Sequence, residues 1–128
     1  MHFAINTNSL RKSLNIKQII QVCLDAGVHG VEWGLGSLEN AAAEAKEMAA
    51  ASRDAGLQVL SFINGGKLWD TEGIRRWSEA VASAGGKMLR VAHPWYAYNF
   101  DESRRQPETF PELMKKTRDG LVKLMDVG

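Results

Sequence analysis

The sequence has few of the residues that mark secreted, linker-rich or membrane proteins. Cysteine occurs once, at Cys23, and proline three times in 128 residues. A single cysteine excludes an internal disulfide and fits a reducing, cytosolic setting, so we expect a cytoplasmic protein. No apolar run approaches the roughly 20 residues needed to cross a bilayer. The N-terminus also lacks the basic and apolar segments of a signal peptide.

An excess of charge of one sign is absent as well. Lysine and arginine total 16 and aspartate and glutamate 15, a formal net charge of +1. This balance predicts no strong attraction to nucleic acid or to anionic membranes. Hydrophobic residues make up 45% and charged residues 24%, which are ordinary values for a globular domain. At this length we expect one domain.

What the chain does contain is a repeat with a period of 29 residues. An Ala-Gly pair followed by an apolar stretch occurs as DAGVHGVEW, DAGLQVLSF and SAGGKMLRV, with the glycines at Gly27, Gly56 and Gly85. Glycine readily adopts the left-handed conformation that closes a helix, so each of them predicts a helix C-terminus. Each repeat therefore predicts the end of a helix followed by a strand.

The predicted elements alternate along the whole chain. Strands are predicted at FAIN (3–6), VHGVEW (28–33), LQVLSFI (57–63) and KMLRVAH (87–93). Apolar residues recur at helical spacing between the strands. The predicted helix N-caps are Asn15, Ser37, Asp70 or Thr71, and a capping box of Thr109 with Glu112. This alternation implies parallel strands joined by right-handed crossovers, with helices covering the sheet.

Two architectures use such units. A doubly wound nucleotide-binding sheet would need Gly-x-Gly-x-x-Gly after a strand, but NTNSLRKS after the first strand has no glycine, and GLGSLE at 34–39 lacks the third. The near-constant period favours a β/α barrel, in which eight units take about 250 residues. We therefore predict an α/β fold, the (βα)4 half of a TIM barrel. It forms a single half-barrel domain over 1–128, with units at approximately 1–27, 28–56, 57–85 and 86–128, and stops where a fifth strand would begin.

Four passages at the predicted strand ends carry a resemblance: AINTNSL, DAGVHGVEWG, LQVLSFINGG and LRVAHPW. They resemble the N-terminal half of the xylose-isomerase-like barrels, a superfamily of sugar isomerases, sugar epimerases and apurinic endonucleases. The resemblance implies a divalent metal (Mn, Mg or Zn) in the full barrel and proton movement beside the carbonyl of a sugar or sugar phosphate. It also implies that the principal metal ligands and acid/base carboxylates come from the fifth to eighth strands. The near-neutral charge disfavours the endonuclease activity.

Active sites of barrels lie at the carboxyl ends of the strands, and this location selects Glu32 and His93 as catalytic candidates. Alternation directs Glu32 into the barrel and Val31 and Trp33 toward the helices. A buried carboxylate needs a metal, a cation or a substrate hydroxyl, and its structural alternative is an internal salt bridge with Arg90. His93 closes the fourth strand, where the resemblance implies an active-site histidine that in some relatives binds the metal. The alternative for His93 is a hydrogen-bonded core residue.

Four more residues are candidates for substrate binding: Asn6, Trp33, Asn64 and Trp95. The two asparagines end strands, where an amide either bonds a hydroxyl-rich ligand or caps a turn. The two tryptophans offer aromatic faces that either stack on a sugar ring or pack beneath loops.

A second function class stays open beside the enzyme. Four strands of a barrel leave two sheet edges and one apolar face uncovered. The chain would then be a non-catalytic half-barrel that self-associates, and two copies would close one barrel as a homodimer. The other partner that would close it is a C-terminal half-barrel.

Overall fold

The structure, a computed structural model, describes residues 2–64, 69–91 and 110–125. The strands are β1 (Ala4–Asn6), β2 (Gly30–Gly34), β3 (Gln58–Asn64) and β4 (Leu89–Val91). The helices are α1 (Ile16–Asp25), α2 (Ala41–Asp54), α3 (Thr71–Ser83) and α4 (Phe110–Met125), and a short 3₁₀ helix (Leu10–Lys12) precedes α1. Within the described ranges, no helix combines the length and apolar character needed to cross a membrane.

The strands form one parallel sheet in the order β1-β2-β3-β4. Each strand therefore lies beside the next one in the chain, with a helix in the connection. A doubly wound sheet would reverse its strand order at one point, whereas an arc of a β/α barrel keeps the chain order. The predicted α/β half-barrel of parallel strands and outer helices is confirmed.

The helix ends follow from local sequence. The three repeat glycines have positive φ angles, at Gly27 (64°), Gly56 (74°) and Gly85 (76°), as the predicted C-caps require. Asn15 forms a reciprocal capping box with Gln18 at the start of α1. The Asp70 side chain accepts the Gly73 amide at the start of α3.

The prediction for the start of α2 is wrong. The helix begins at Ala41 behind Asn40, three residues after the predicted cap Ser37. The residues before it form a turn, and the side chain of Glu44 accepts the amide of Gly36 at 2.8 Å. This bond ties the loop before α2 to the first turns of the helix. For α4, Glu112 lies in the first turn, while Thr109 lies outside the described residues.

The core lies between one face of the sheet and the helices. Val31, Trp33 and Phe62 point to this side and are fully buried. They pack against buried residues of the first three helices, namely Ile19, Ile20, Cys23, Ala41, Ala45, Met48, Trp77, Ala80 and Val81. The opposite face carries Asn6, Glu32, Ser61 and Arg90, and we call it the polar face.

A β-bulge decides which residue of β3 lies beside Glu32. Val31 pairs with Val59, but Glu32 pairs with Ser61, so Leu60 is an extra residue in β3. A bulge of this kind shifts the register of one strand by one position and redirects its side chains. The hydroxyl of Ser61 is thereby brought to the polar face next to Glu32.

Candidate functional site

The carboxylate of Glu32 accepts hydrogen bonds from three other strands. Oε1 accepts Ser61 Oγ at 2.6 Å and Arg90 Nε at 2.8 Å. Oε2 accepts Arg90 Nη2 at 2.5 Å and the side-chain amide of Asn6. An ionised carboxylate has about four lone-pair sites, so these four donors fill its acceptor capacity.

Arg90 dominates the electrostatics of this group. Its hydrogen bonds lower the pKa of Glu32, and the bonds from Ser61 and Asn6 act in the same direction, while burial opposes them. The side chain of Glu32 is 16% exposed and that of Arg90 53%. The carboxylate is therefore ionised at neutral pH, and the guanidinium that neutralises it reaches the surface.

Glycines flank Glu32 on both sides along β2. A Cβ at Gly30 would lie 2.9 Å from the Gln58 carbonyl oxygen and 3.3 Å from Leu60 Cγ. A Cβ at Gly34 would lie 1.9 Å from Asn8 Oδ1. Since side chains alternate, residues 30, 32 and 34 share a face. The polar face therefore changes from an apolar neighbour, Leu60, at its amino end to a polar one, Asn8, at its carboxyl end.

The segment after β1 is held against β2. Thr7 is fully buried, its hydroxyl donates to the Glu32 carbonyl oxygen at 2.9 Å, and it accepts the Gly34 amide at 3.2 Å. The Asn8 amide donates to Asn6 Oδ1 at 2.9 Å. Both ends of the Asn6 side chain are thus engaged, one by Glu32 and the other by the backbone.

The loop after β2 is held by a second ion pair. Arg11 donates to the Gly34 carbonyl oxygen and lies 3.4 Å from the Glu44 carboxylate. The same carboxylate accepts the Gly36 amide. Arg11, Glu44, Asn8 and Ser61 were missed by the sequence analysis, because no local pattern indicates which loop or strand faces them.

The predicted substrate-binding residue Trp33 lies on the opposite side of the sheet from Glu32, and alternation gives Asn64 the same side. Trp33 faces the helices and is fully buried, and its indole N–H donates to Ser52 Oγ at 2.8 Å. No surface of its ring is available for stacking on a sugar in this structure. Asn64 ends β3 and is buried. Its position two residues after Phe62 puts it on the helix-facing side.

The structure brings together Asn6 and Glu32 of the predicted site, and it forms the Glu32–Arg90 salt bridge that was the structural alternative for Glu32. His93 and Trp95 lie outside the described residues. The catalytic and metal-binding predictions for His93, and the stacking prediction for Trp95, therefore stay predictions.

The described residues do not fit a divalent metal. No group of three histidine, cysteine, aspartate or glutamate side chains converges in the part of the chain that the structure describes. The carboxylate on the polar face, Glu32, is filled by donors that include the cationic Arg90. A metal would have to displace that cation to reach it.

Comparison with known proteins bears on the fold. No protein-family profile matches the sequence, and no curated protein does. Among solved structures, the chain is similar to the 3-keto-D-glucoside 4-epimerase YcjR from E. coli in its apo form, with a TM-score of 0.59 and 24% identity. The match covers 88% of this chain and 46% of that one. The chain thus spans about half the length of that structure, and the likeness shows a shared fold.

Proposed function

We propose that the chain is the N-terminal half of a sugar or sugar-phosphate isomerase or epimerase of the xylose-isomerase-like type, and that it contributes substrate-pocket residues. The observation that carries the proposal is the Glu32 network, which joins all four strands on the face that a barrel turns inward. The fold likeness to an epimerase of a keto-glucoside supports it.

In this proposal Glu32 orients donors and does not itself remove a proton. Its low pKa makes it a weak base, and its lone pairs are filled. It fixes the guanidinium of Arg90, whose half-exposed side chain donates to an oxygen of the sugar. The catalytic contribution of Glu32 is therefore to hold charge and geometry.

The remaining parts of the proposal concern groups beyond this network. His93 is the candidate for proton transfer or for a metal ligand, and Trp95 is the candidate for stacking on the sugar ring. A divalent metal in the full barrel would polarise the sugar carbonyl. No step is assigned to a metal in this half. The buried free thiol of Cys23 is compatible with the cytoplasmic location that we also propose.

The test is a titration of ¹⁵N-labelled protein with D-fructose and with a fructose phosphate. We expect saturable shifts of the Asn6 amide and Arg90 Nε–H signals, because both groups lie on the polar face. The Trp33 indole signal, in the core, is the internal reference and should stay constant. Arg90→Met should weaken binding, and Arg75→Met, which removes a surface arginine paired with Glu72 and Glu79, should not. Absence of saturable shifts with both sugars would refute the proposal.

A second candidate function is the self-associating half-barrel. Phe3, Leu60 and Met88 are exposed apolar residues in or beside the strands, and among the described strands β1 and β4 pair on one side only. Exposed edges and apolar side chains favour association, and we propose a second copy of the chain as the partner. Sedimentation should then show a dimer that Leu60→Lys weakens, whereas a concentration-independent monomer would exclude it.

A further inference from the structure

We infer that Asn8 is a specificity-determining residue of the proposed pocket, and that its carboxamide hydrogen-bonds a neutral hydroxyl of the sugar. The inference rests on the proposed function, because it names the group that this end of the polar face would recognise.

The position of the Asn8 side chain depends on the absence of a side chain at Gly34. A Cβ at Gly34 would meet Asn8 Oδ1 at 1.9 Å and Asn8 Cγ at 3.0 Å. The carboxamide therefore occupies the volume that a residue at position 34 would fill. Gly34 lies two residues beyond Glu32 in β2 and shares its face, so Asn8 lies at the carboxyl end of the polar face, where ligands bind in barrels.

The backbone around Asn8 is fixed, while its side chain is not engaged. The Thr7 amide donates to the Glu32 carbonyl oxygen at 2.9 Å, and the Arg11 amide donates to the Thr7 carbonyl oxygen at 3.0 Å. The backbone amide of Asn8 donates to Asn6 Oδ1. Among the described residues, the Asn8 carboxamide has no hydrogen-bond partner, and the residue is exposed. The backbone of Asn8 is thus held in a defined place, and its carboxamide has no hydrogen-bond partner among the described residues.

The chemistry of a carboxamide selects the ligand group. It offers one oxygen that accepts and an NH₂ that donates, and a hydroxyl both donates and accepts. An ionised carboxylate only accepts, and a phosphate accepts with its charged oxygens, so either anion would bond the NH₂ and place its charge close to the carboxamide oxygen. Asn8 therefore favours a neutral hydroxyl over an anionic group.

The experiment measures binding of D-fructose by NMR titration, with inorganic phosphate as the anion probe. Asn8→Ala should weaken D-fructose binding about tenfold, the loss expected for one or two hydrogen bonds, and should leave any phosphate binding within about twofold. Asn8→Asp keeps the shape of the side chain but loses the N–H donors, and should also weaken D-fructose binding. Asn40→Ala, at the exposed start of α2, is the matched control and should have no effect.

Gly34→Ala tests whether the space above Gly34 affects binding through the position of Asn8. Its added methyl group should displace the carboxamide and cause the same loss, and the double variant should bind no worse than Asn8→Ala. If Asn8→Ala and Asn8→Asp bind D-fructose as the unsubstituted protein does, the inference is wrong and the proposed function stands. If the unsubstituted protein binds neither D-fructose nor the fructose phosphate, the proposed function fails and the inference with it.

Discussion

Arg90 and Glu32 form a two-bond ion pair across an intervening strand. Nε donates to Oε1 at 2.8 Å and Nη2 to Oε2 at 2.5 Å, although the residues are 58 positions apart. The pair links β2 to β4, and Ser61 of β3, between them, donates to the same carboxylate. A paired geometry of this kind is among the stronger hydrogen-bonded contacts in proteins. The pair therefore fixes the position of β4 relative to β2 on the polar face.

Replacing Glu32 should destabilise the fold. Glu32→Gln removes the charge that neutralises Arg90 and turns one acceptor oxygen into a donor facing donors. We expect a loss of about 1–2 kcal/mol in the free energy of unfolding, measured by urea denaturation. Glu72→Gln is the matched control, because its pair with Arg75 lies at the surface and exposed pairs contribute little. Equal effects of the two changes would contradict this account.

The contribution of Glu32 should depend on pH in a defined direction. Its folded-state pKa is lowered, first by the Arg90 hydrogen bonds, so the folded state favours the ionised form. The stabilisation is complete above the ordinary glutamate pKa of 4.5 and is lost as the pH falls through the lower, folded value.

The measurement is the difference in unfolding free energy between the unsubstituted protein and Glu32→Gln from neutral pH downward. It should be constant down to about pH 5 and then shrink. Glu72 and Asp119 also have lowered pKa values, but they are present in both proteins and largely cancel. A difference that grows toward low pH would have the wrong sign.

The repeat glycines should be equivalent. Gly56→Ala places a β-carbon on a residue with a φ of +74°, where nothing lies within 4 Å. Its cost is therefore conformational and should be about 1–2 kcal/mol by thermal or urea unfolding. Gly27→Ala and Gly85→Ala should cost the same, and Gly56→Asn should cost less, because asparagine tolerates this conformation. If only one of the three substitutions lowered the free energy of unfolding, the equivalence of the three glycines would be contradicted.

The buried indole of Trp33 should be coupled to Ser52. Ser52 Oγ accepts the indole N–H and donates to the Met48 carbonyl oxygen, both at 2.8 Å. Ser52→Ala leaves a buried donor unpaired, at a cost of about 1–3 kcal/mol. In Trp33→Phe the donor is gone, so Ser52→Ala should cost less in that background. Ser83→Ala is the control, since its hydroxyl makes only a similar local bond to Ala80.

The fold was predicted from signals that act over a few residues. The repeat glycines at the ends of α1, α2 and α3, the helical spacing before them and the apolar strands after them were confirmed, as were the caps Asn15 and Asp70. The start of α2 was mispredicted because Glu44 holds the preceding loop from within the helix. That contact involves neither the predicted cap, Ser37, nor the observed cap, Asn40.

The candidate site was predicted only in part. Alternation along β2 was enough to separate Glu32 from the core residue Trp33. It did not reveal that Ser61 lies beside Glu32, because that depends on the bulge at Leu60. Nor did it reveal that the Asn8 side chain fills the space above Gly34, because that contact forms only when the segment after β1 packs against β2.

The sequence by itself determined the order of strands and helices and the side of the sheet that the residues of β2 face. Backbone sterics and side-chain alternation set both within a turn or a strand. The tertiary structure alone decided that the carboxylate of Glu32 accepts hydrogen bonds from the other three strands. Those contacts depend on the register between segments that are up to 58 residues apart, and register is fixed by packing of the whole sheet.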